Sequence, residues 1–250
     1  MRRITKANQT SAAIHNRRLA VQLLRQHGTL SRRQLAQITG LRTSTLTYIV
    51  RDLLDQNIVR TVGKAESKTV GKKQILIEIN PGLGWVVGVG LETDQALLVY
   101  VDASGEVIDR ARMEVGHDAD ALPGLLCSWI DAWAARKKMS TGGLLGIGVG
   151  VPGVVDSECG RVLRSTWFAA EDLPLRDLIA KQIDAPVHID NDANFAALGE
   201  SRLGSARGLT NFVYFLMNAE VQQDGFAIRG LGTTIFLNGR LYRGSHFAAG

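Results

Sequence analysis

Apolar positions in the first third of the chain recur at helical spacing in three stretches separated by glycine. Ile14, Ala20, Val21, Leu23 and Leu24 fall on one face of a helix over residues 12–27, which His27-Gly28 stops. In LSRRQLAQITG, Ser31 precedes Gln34 by three residues. That is a capping box: the serine oxygen accepts the N3 amide and the glutamine reaches back. Leu35, Ala36 and Ile38 form the apolar stripe of this short helix, and Gly40 ends it. In LRTSTLTYIVRDLLDQ, Leu46, Ile49, Val50, Leu53 and Leu54 share one face, and Thr43, Ser44, Thr47, Tyr48 and Arg51 the other. The period then changes. NIVRTVGKAESKTVGKKQILIEIN predicts two strands, 58–62 and 74–79, around a tip rich in Lys, Gly and Ser.

NPGLG at 80–84 punctuates the chain and divides it into an N-terminal domain, 1–80, and a second domain, 81–250. Beyond it, WVVGVGL and ALLVYVD read as strands, and DASGEVI supplies a turn and the next strand. Leu122, Leu125, Leu126, Trp129, Ile130 and Trp133 mark a helix whose tryptophans belong to a core. Arg136, Lys137 and Lys138 close that helix, where cations suit its dipole. LLGIGVGVPGVVD is a strand entering a Gly/Pro loop, DLPLRDLIAKQI a helix, PVHID a strand, and NDANFAALGE the start of another helix. NFVYFLM and TTIFLNGRLY are strands, the second with an Asn-Gly turn. Strands alternating with helices predict an α/β domain.

Charge separates the two parts more sharply than the overall balance of +5 does. Residues 1–80 carry 15 Lys and Arg against 4 Asp and Glu, a net of +11, and the remainder carries a net of −6. A basic piece joined to an acidic body points the first piece at a polyanion. Two short helices around a glycine turn make a helix-turn-helix, and the hairpin adds a wing. The polar first turn of the second helix suits a major groove, with Arg42, Thr43, Ser44, Thr45, Thr47 and Tyr48 as candidate DNA contacts. Lys64, Lys68, Lys72 and Lys73 sit at or near the wing tip, and Lys72 and Lys73 are the candidate backbone-phosphate contacts. No aromatic pair is placed to stack single strands, so the expected partner is double-stranded DNA. His15 and His27 have no neighbour at metal-ligand spacing.

Hydrophobic residues at 45% against 21% charged exclude wholesale disorder. The longest apolar runs, such as FVYFLM, are strand-sized, so no membrane span is expected. The basic N-terminus lacks the apolar core of a secretory signal. Cys127 and Cys159 lack CxxC spacing and read as two reduced thiols in a cytoplasmic protein.

HIDNDANFAALGE, residues 188–200, gathers Asp190, Asn191, Asp192 and Asn194 at a strand-to-helix junction. Two roles fit. Asn191 and Asp192 can cap the helix. They can also hold a hydroxylated ligand, since a carboxylate accepts and an amide both donates and accepts. GIGVGVPGVVD, PVHIDNDANFAALGE and IFLNGRLYRG, in this order, resemble the ROK family (repressor, open reading frame, kinase). GTLSRRQLAQITGLRTSTLTYIVRDLLDQNIV resembles its repressor branch, the xylose-repressor type. The resemblance covers nearly the whole chain. It implies a winged helix-turn-helix followed by an actin/hexokinase-like, ribonuclease-H-like α/β domain. It also implies homo-oligomers, a sugar or sugar-phosphate effector, and repression of carbohydrate-utilisation genes.

In the family's sugar kinases the residues matching Asn191 and Asp192 hold the sugar, and the aspartate is the base. The resemblance therefore makes Gly153, Asn191 and Asp192 candidate sugar contacts, with Asp192 catalytic only if the chain is a kinase carrying an added DNA-binding domain. Phosphoryl transfer also needs glycine-rich loops around the phosphates. The family's Asp-x-Gly-Gly-Thr loop matches GVGLETDQ, 88–95, where Gly90 replaces the aspartate, Glu92 and Thr93 the glycines, and Asp94 the threonine. Two carboxylates at ~4 Å repel by roughly 4 kcal/mol at an effective dielectric near 20. The second phosphate loop matches IRGLGTTIF, 228–236, which keeps only Gly230 and Gly232 and follows an added NAEVQQDGFA. The expectation is a sensor, not an enzyme. In the family a sugar-contacting Glu and His, a Cys-rich zinc motif and the helices of the second lobe would follow HFAAG. This chain is thus expected to be truncated, with an incomplete second lobe, no metal or other cofactor of its own, an unpaired strand edge and exposed apolar surface.

Overall fold

A computed structural model describes residues 6–64, 74–92, 94–222, 225–247 and 249. The chain divides into two compact units. One runs up to Trp85 and includes Val101–Glu106; the other comprises Val86–Tyr100 and Val107–Gly250.

The first unit contains α1 (Lys6–His27), β1 (Leu30–Ser31), α2 (Arg32–Thr39), α3 (Thr43–Asp55), β2 (Val59–Lys64) and β3 (Ile75–Ile79). The strands form one antiparallel sheet in the order β1-β3-β2. Glycines at positive φ, Gly28 (71°) and Gly40 (69°), end α1 and α2 as read from the sequence. The capping box is present: Gln34 N donates to Ser31 Oγ at 3.2 Å, and Ser31 N donates to Gln34 Oε1 at 2.8 Å. Leu24, Leu35, Leu46, Val50, Leu53 and Ile77 lie in the core, which Ala103 of the 101–106 turn joins. Two residues of the predicted apolar stripes stand outside it. Ile14 is 49% exposed because the core takes α1 only from Leu19 onward. Ile38 is equally exposed, since the eight-residue α2 buries only Leu35 fully. The first wing strand is also displaced, running from Val59 to Lys64 instead of 58–62.

The second unit contains β4 (Trp85–Leu91) from Val86 onward, β5 (Gln95–Asp102) up to Tyr100, β6 (Val107–Glu114), α4 (Leu122–Lys137), β7 (Leu144–Val151), β8 (Val154–Asp156), β9 (Arg161–Ser165), β10 (Ala170–Leu173), α5 (Leu175–Ala180), β11 (Val187–Asn191), α6 (Asp192–Leu203), β12 (Phe212–Gln222), β13 (Gly225–Leu237) and β14 (Arg240–Tyr242). Its main sheet has the order β11-β7-β4-β5-β6, with β11 and β7 parallel. Val149, Gly150 and Val151 at the end of β7 are all buried, as expected of a strand covered on both faces. The α/β expectation is met. The helix read from DLPLRDLIAKQI is shorter than its pattern, only Leu175–Ala180, because Pro174 occupies its N-cap and the chain turns after Lys181.

Trp133 of α4 stacks on Tyr100 of β5 at 3.7 Å, which bears out the core reading of that tryptophan. Its indole Nε1 donates to Asp109 Oδ2 at 3.0 Å, and Lys137 Nζ lies 3.0 Å from the same oxygen. These two bonds hold the Asp109 carboxyl down at about 2. The basic end of α4 thus serves a specific carboxylate as well as the helix dipole. β8, β9 and β10 form a small antiparallel sheet, and β12, β13 and β14 another. On the β12–β13 hairpin, Val213, Phe215, Met217 and Leu231 are exposed. Cys127 is buried and Cys159 exposed, both free thiols. Among the described residues no helix is long and apolar enough to cross a membrane.

Candidate nucleic-acid interface and candidate ligand site

The helix-turn-helix consists of α2, the Gly40–Arg42 connection and α3. Leu46, Val50 and Leu53 turn inward and fix the outward face of α3. Arg42 is the N-cap of α3, in extended backbone, and its side chain makes no capping bond. It therefore remains available beside the helix N-terminus, where backbone amides favour an anion. Arg42, Thr43, Ser44, Thr47 and Tyr48 are exposed, whereas Thr45 is half-buried. Thr47 Oγ1 donates to Thr43 O at 2.9 Å, which commits its proton and leaves its oxygen as an acceptor. Tyr48 is 68% exposed, with the Arg51 guanidinium 5.1 Å from its ring centroid. That cation–π contact orders two long side chains on the outward face. Arg17 of α1 braces the far end of α3, donating to Asp52 Oδ2 at 2.7 Å and also to Gln56. Lys68, Lys72 and Lys73 lie outside the described residues.

In the second unit, parallel pairing brings the predicted ligand residues together. Asn191 of β11 registers with Val151 of β7, so both strands end at the same edge. Loops at the carboxyl ends of parallel strands are where α/β sheets hold ligands. Beyond Val151 the chain turns through Pro152 and Gly153, and beyond Asn191 it enters α6. Asn191 Nδ2 donates to Gly153 O at 2.9 Å, while Asn191 Oδ1 accepts the Asn194 amide at 3.2 Å. Asn191 is thus the N-cap of α6 and the link between the two loops. The capping role read from the sequence falls on Asn191. Gly153 has φ 141°, and a Cβ there would meet Arg164 O at 2.3 Å. Buried Ser165 steadies the turn by donating to Pro152 O at 2.7 Å.

Asp192, the first residue of α6, is partly buried and accepts the Ala193 amide at 2.9 Å. Burial raises its pKa above the ordinary value, and the Ala193 hydrogen bond opposes the rise. A carboxylate of raised basicity beside a hydroxyl suits both acceptance of a hydrogen bond and removal of a proton.

The sequence singled out Asp190 and Asn194 without giving them a role. Asp190 is only 4% exposed. Its Oδ1 accepts from Asn191 N at 2.8 Å and Asn194 Nδ2 at 2.9 Å, and its Oδ2 accepts from Arg243 Nη2. Asn194 Oδ1 in turn accepts from Thr234 Oγ1 of β13 at 3.0 Å. Arg243 and Thr234 carried no local signal. The one available clue was that a carboxylate ending an apolar strand needs a partner.

The stretch matched to a second phosphate loop is not a loop. Gly230 and Gly232 lie within β13, paired with Asn218 and Leu216, and the ladder continues to Gln222 and Gly225. Gly232 serves packing instead: a Cβ there would lie 2.8 Å from Ala193 Cβ. In the first matched loop Glu92 is paired loosely with Arg112 at 3.8 Å. Thr93 lies outside the described residues. Among the described residues no group of three or more His, Cys, Asp or Glu could hold a metal ion.

Residues 86–250 match the ROK family. The chain belongs to the ROK family. Residues 15–60 match the winged helix-turn-helix DNA-binding family. The xylose repressor of Caldicellulosiruptor bescii is 29% identical over 97% of this chain and 59% of its own length. The xylose repressor of Bacillus subtilis is 27% identical over 95% of this chain and 59% of its own. A glucokinase of Halalkalibacterium halodurans is 28% identical over 66% of this chain and 48% of its own. The ROK chain described here thus spans under two thirds of the length of the curated relatives it matches. Among solved structures, a ROK family transcriptional regulator, a homologue of the Escherichia coli MLC protein, superposes with a TM-score of 0.70 at 23% identity. That superposition covers 94% of this chain and 57% of that one. This likeness shows the shared fold.

Proposed function

We propose that this chain is the DNA-binding and effector-sensing part of a cytoplasmic repressor of carbohydrate-utilisation genes. The observation that carries this reading is the pairing of two sites in one ROK chain. One unit presents an exposed, polar first turn of α3 in a winged helix-turn-helix. The other gathers Gly153, Asn191 and Asp192 at the carboxyl ends of two parallel strands. The first suits a double-stranded DNA operator, and the second suits the hydroxyls of a sugar or sugar phosphate. Relatives named as xylose repressors support the combination. Binding at either site changes affinity at the other by the same factor, as linkage requires. Paired copies of the protein would read two operator half-sites.

A ROK-type sugar kinase with an added DNA-binding domain is the competing reading, favoured by the glucokinase relative. Nucleotide phosphates fit poorly here. The backbone amides of a phosphate loop must be free to face the ligand, and the Gly230–Gly232 stretch is paired along β13. Glu92 and Asp94 add negative charge at the other matched loop. These observations favour sensing over phosphoryl transfer.

Fluorescence anisotropy of the purified chain against its own upstream DNA tests the reading. Titrations run at physiological salt, with and without D-xylose, D-glucose and their phosphates. Specific binding shifted by one sugar is expected. Sugar-dependent ATP turnover that yields ADP and a sugar phosphate, and that Asp192→Asn abolishes, would establish the kinase instead.

A further inference from the structure

Arg243 follows β14 and lies far in sequence from the residues it touches. We infer that Arg243 is a positioning residue of the candidate ligand site: through Asp190 it ties the segment after β14 to the β11–α6 junction and sets how Asn191 and Asn194 present their polar atoms. This rests on the reading of that junction as a ligand site.

Asp190 is buried, and its two oxygens are divided between different tasks. Oδ1 takes two donors from the junction itself, Asn191 N and Asn194 Nδ2, and Oδ2 takes Arg243. A buried carboxylate needs donors on both oxygens. Asp190 thus accepts on both oxygens, from the junction on one side and from the guanidinium on the other. That fixes Asn194 with Nδ2 toward Asp190 and Oδ1 toward the Thr234 hydroxyl. The Asn194 backbone amide is bonded to Asn191 Oδ1, and Asn191 Nδ2 to Gly153 O. One chain of hydrogen bonds therefore runs from Arg243 to Gly153 through the side chains that would meet a ligand.

The segment carrying Arg243 is folded on itself. Gly244 turns at φ 64°, and Ala249 N donates to Arg243 O at 3.3 Å. Arg243 Nε is buried and has no acceptor among the described residues, so the side chain holds a spare donor beside the site. A lysine would supply the charge without the planar fork.

The test compares wild type, Arg243→Met and Arg243→Lys in the full chain. Amide hydrogen exchange, read without ligand, is followed at 190–196 and 243–247. Binding of D-glucose and D-xylose is measured by calorimetry. In Arg243→Met, exchange at both segments is expected to rise by about tenfold or more. Affinity for whichever sugar binds wild type should fall by about tenfold, with Arg243→Lys between the two. Unchanged exchange at 190–196 in both variants would overturn the inference, even if melting temperature dropped, and so would unchanged sugar affinity. Should wild type bind neither sugar, the ligand-site reading fails for these sugars, and the exchange result alone decides whether Arg243 positions the junction. If Arg243→Met does not fold, the Arg243→Lys exchange profile decides it.

Discussion

Asn191 donates its side-chain amide to the carbonyl oxygen of Gly153 at 2.9 Å and so joins the ends of two parallel strands. Gly153 stands in a conformation that side chains avoid, with φ at 141° and Arg164 O only 2.3 Å from where a Cβ would stand. Gly153→Ala is therefore expected to destabilise the second unit by about 2–4 kcal/mol and to abolish sugar response. Thermal melting with and without ligand checks both. An alanine variant with wild-type stability would mean that the turn relaxes freely and does not set the site.

A second glycine acts through packing. Gly232 lets β13 approach the first turn of α6, where its missing Cβ would lie 2.8 Å from Ala193 Cβ. Gly232→Ala should cost about 1–3 kcal/mol, as overpacking does. Adding Ala193→Gly removes the opposing methyl, so the double variant should recover part of that loss despite glycine's poor helix propensity. A double-mutant cycle in chemical denaturation reads the coupling, and strictly additive effects would show that the two residues do not meet.

The two glycines and the arginine show what the sequence could tell and what it could not. The Ser31 capping box, the inward face of α3 and the Asn238-Gly239 turn were legible because each is encoded within a few residues. The meeting of Asn191 with Gly153 was legible only by resemblance, since parallel pairing joins residues 38 positions apart. Arg243 lies 53 positions from Asp190, and nothing near it announces a buried partner. Gly232 kept its motif position, but its pairing in a longer hairpin gives it a different task. Ile14 and Ile38 followed helical periodicity yet remain exposed, because periodicity marks a face without saying whether anything covers it.

Asp192 carries a pH prediction whose sign differs from that of an ordinary paired carboxylate. Burial raises its pKa above 3.8 in the folded protein. Such a group favours folding fully below 3.8, and that contribution is lost as pH rises through the folded value. Ionised Asp192 is thus a burden at neutral pH. Asp192→Asn should raise the melting temperature at pH 7, with the gain shrinking as pH falls toward 3.8. The same change removes the carboxylate acceptor and should weaken sugar binding. Stability gained with ligand response lost would mark a residue kept for function, whereas a lowered melting temperature at pH 7 would contradict the burial argument.

The outward face of α3 and the wing should separate by the kind of binding they support. Arg42 and Thr43 stand at the start of α3, exposed, where base edges are in reach of a helix seated in the major groove. Replacing either with alanine should reduce discrimination between operator and unrelated DNA by about 1–3 kcal/mol for each base that the side chain reads. Lys72, expected at the wing tip from the sequence, should act differently. Lys72→Ala should weaken binding to all sequences alike and lower the salt slope by about one. Competition titrations over a salt series distinguish the two behaviours. Were Lys72→Ala to alter sequence preference while Arg42→Ala and Thr43→Ala left it intact, the wing and not α3 would be the reading element.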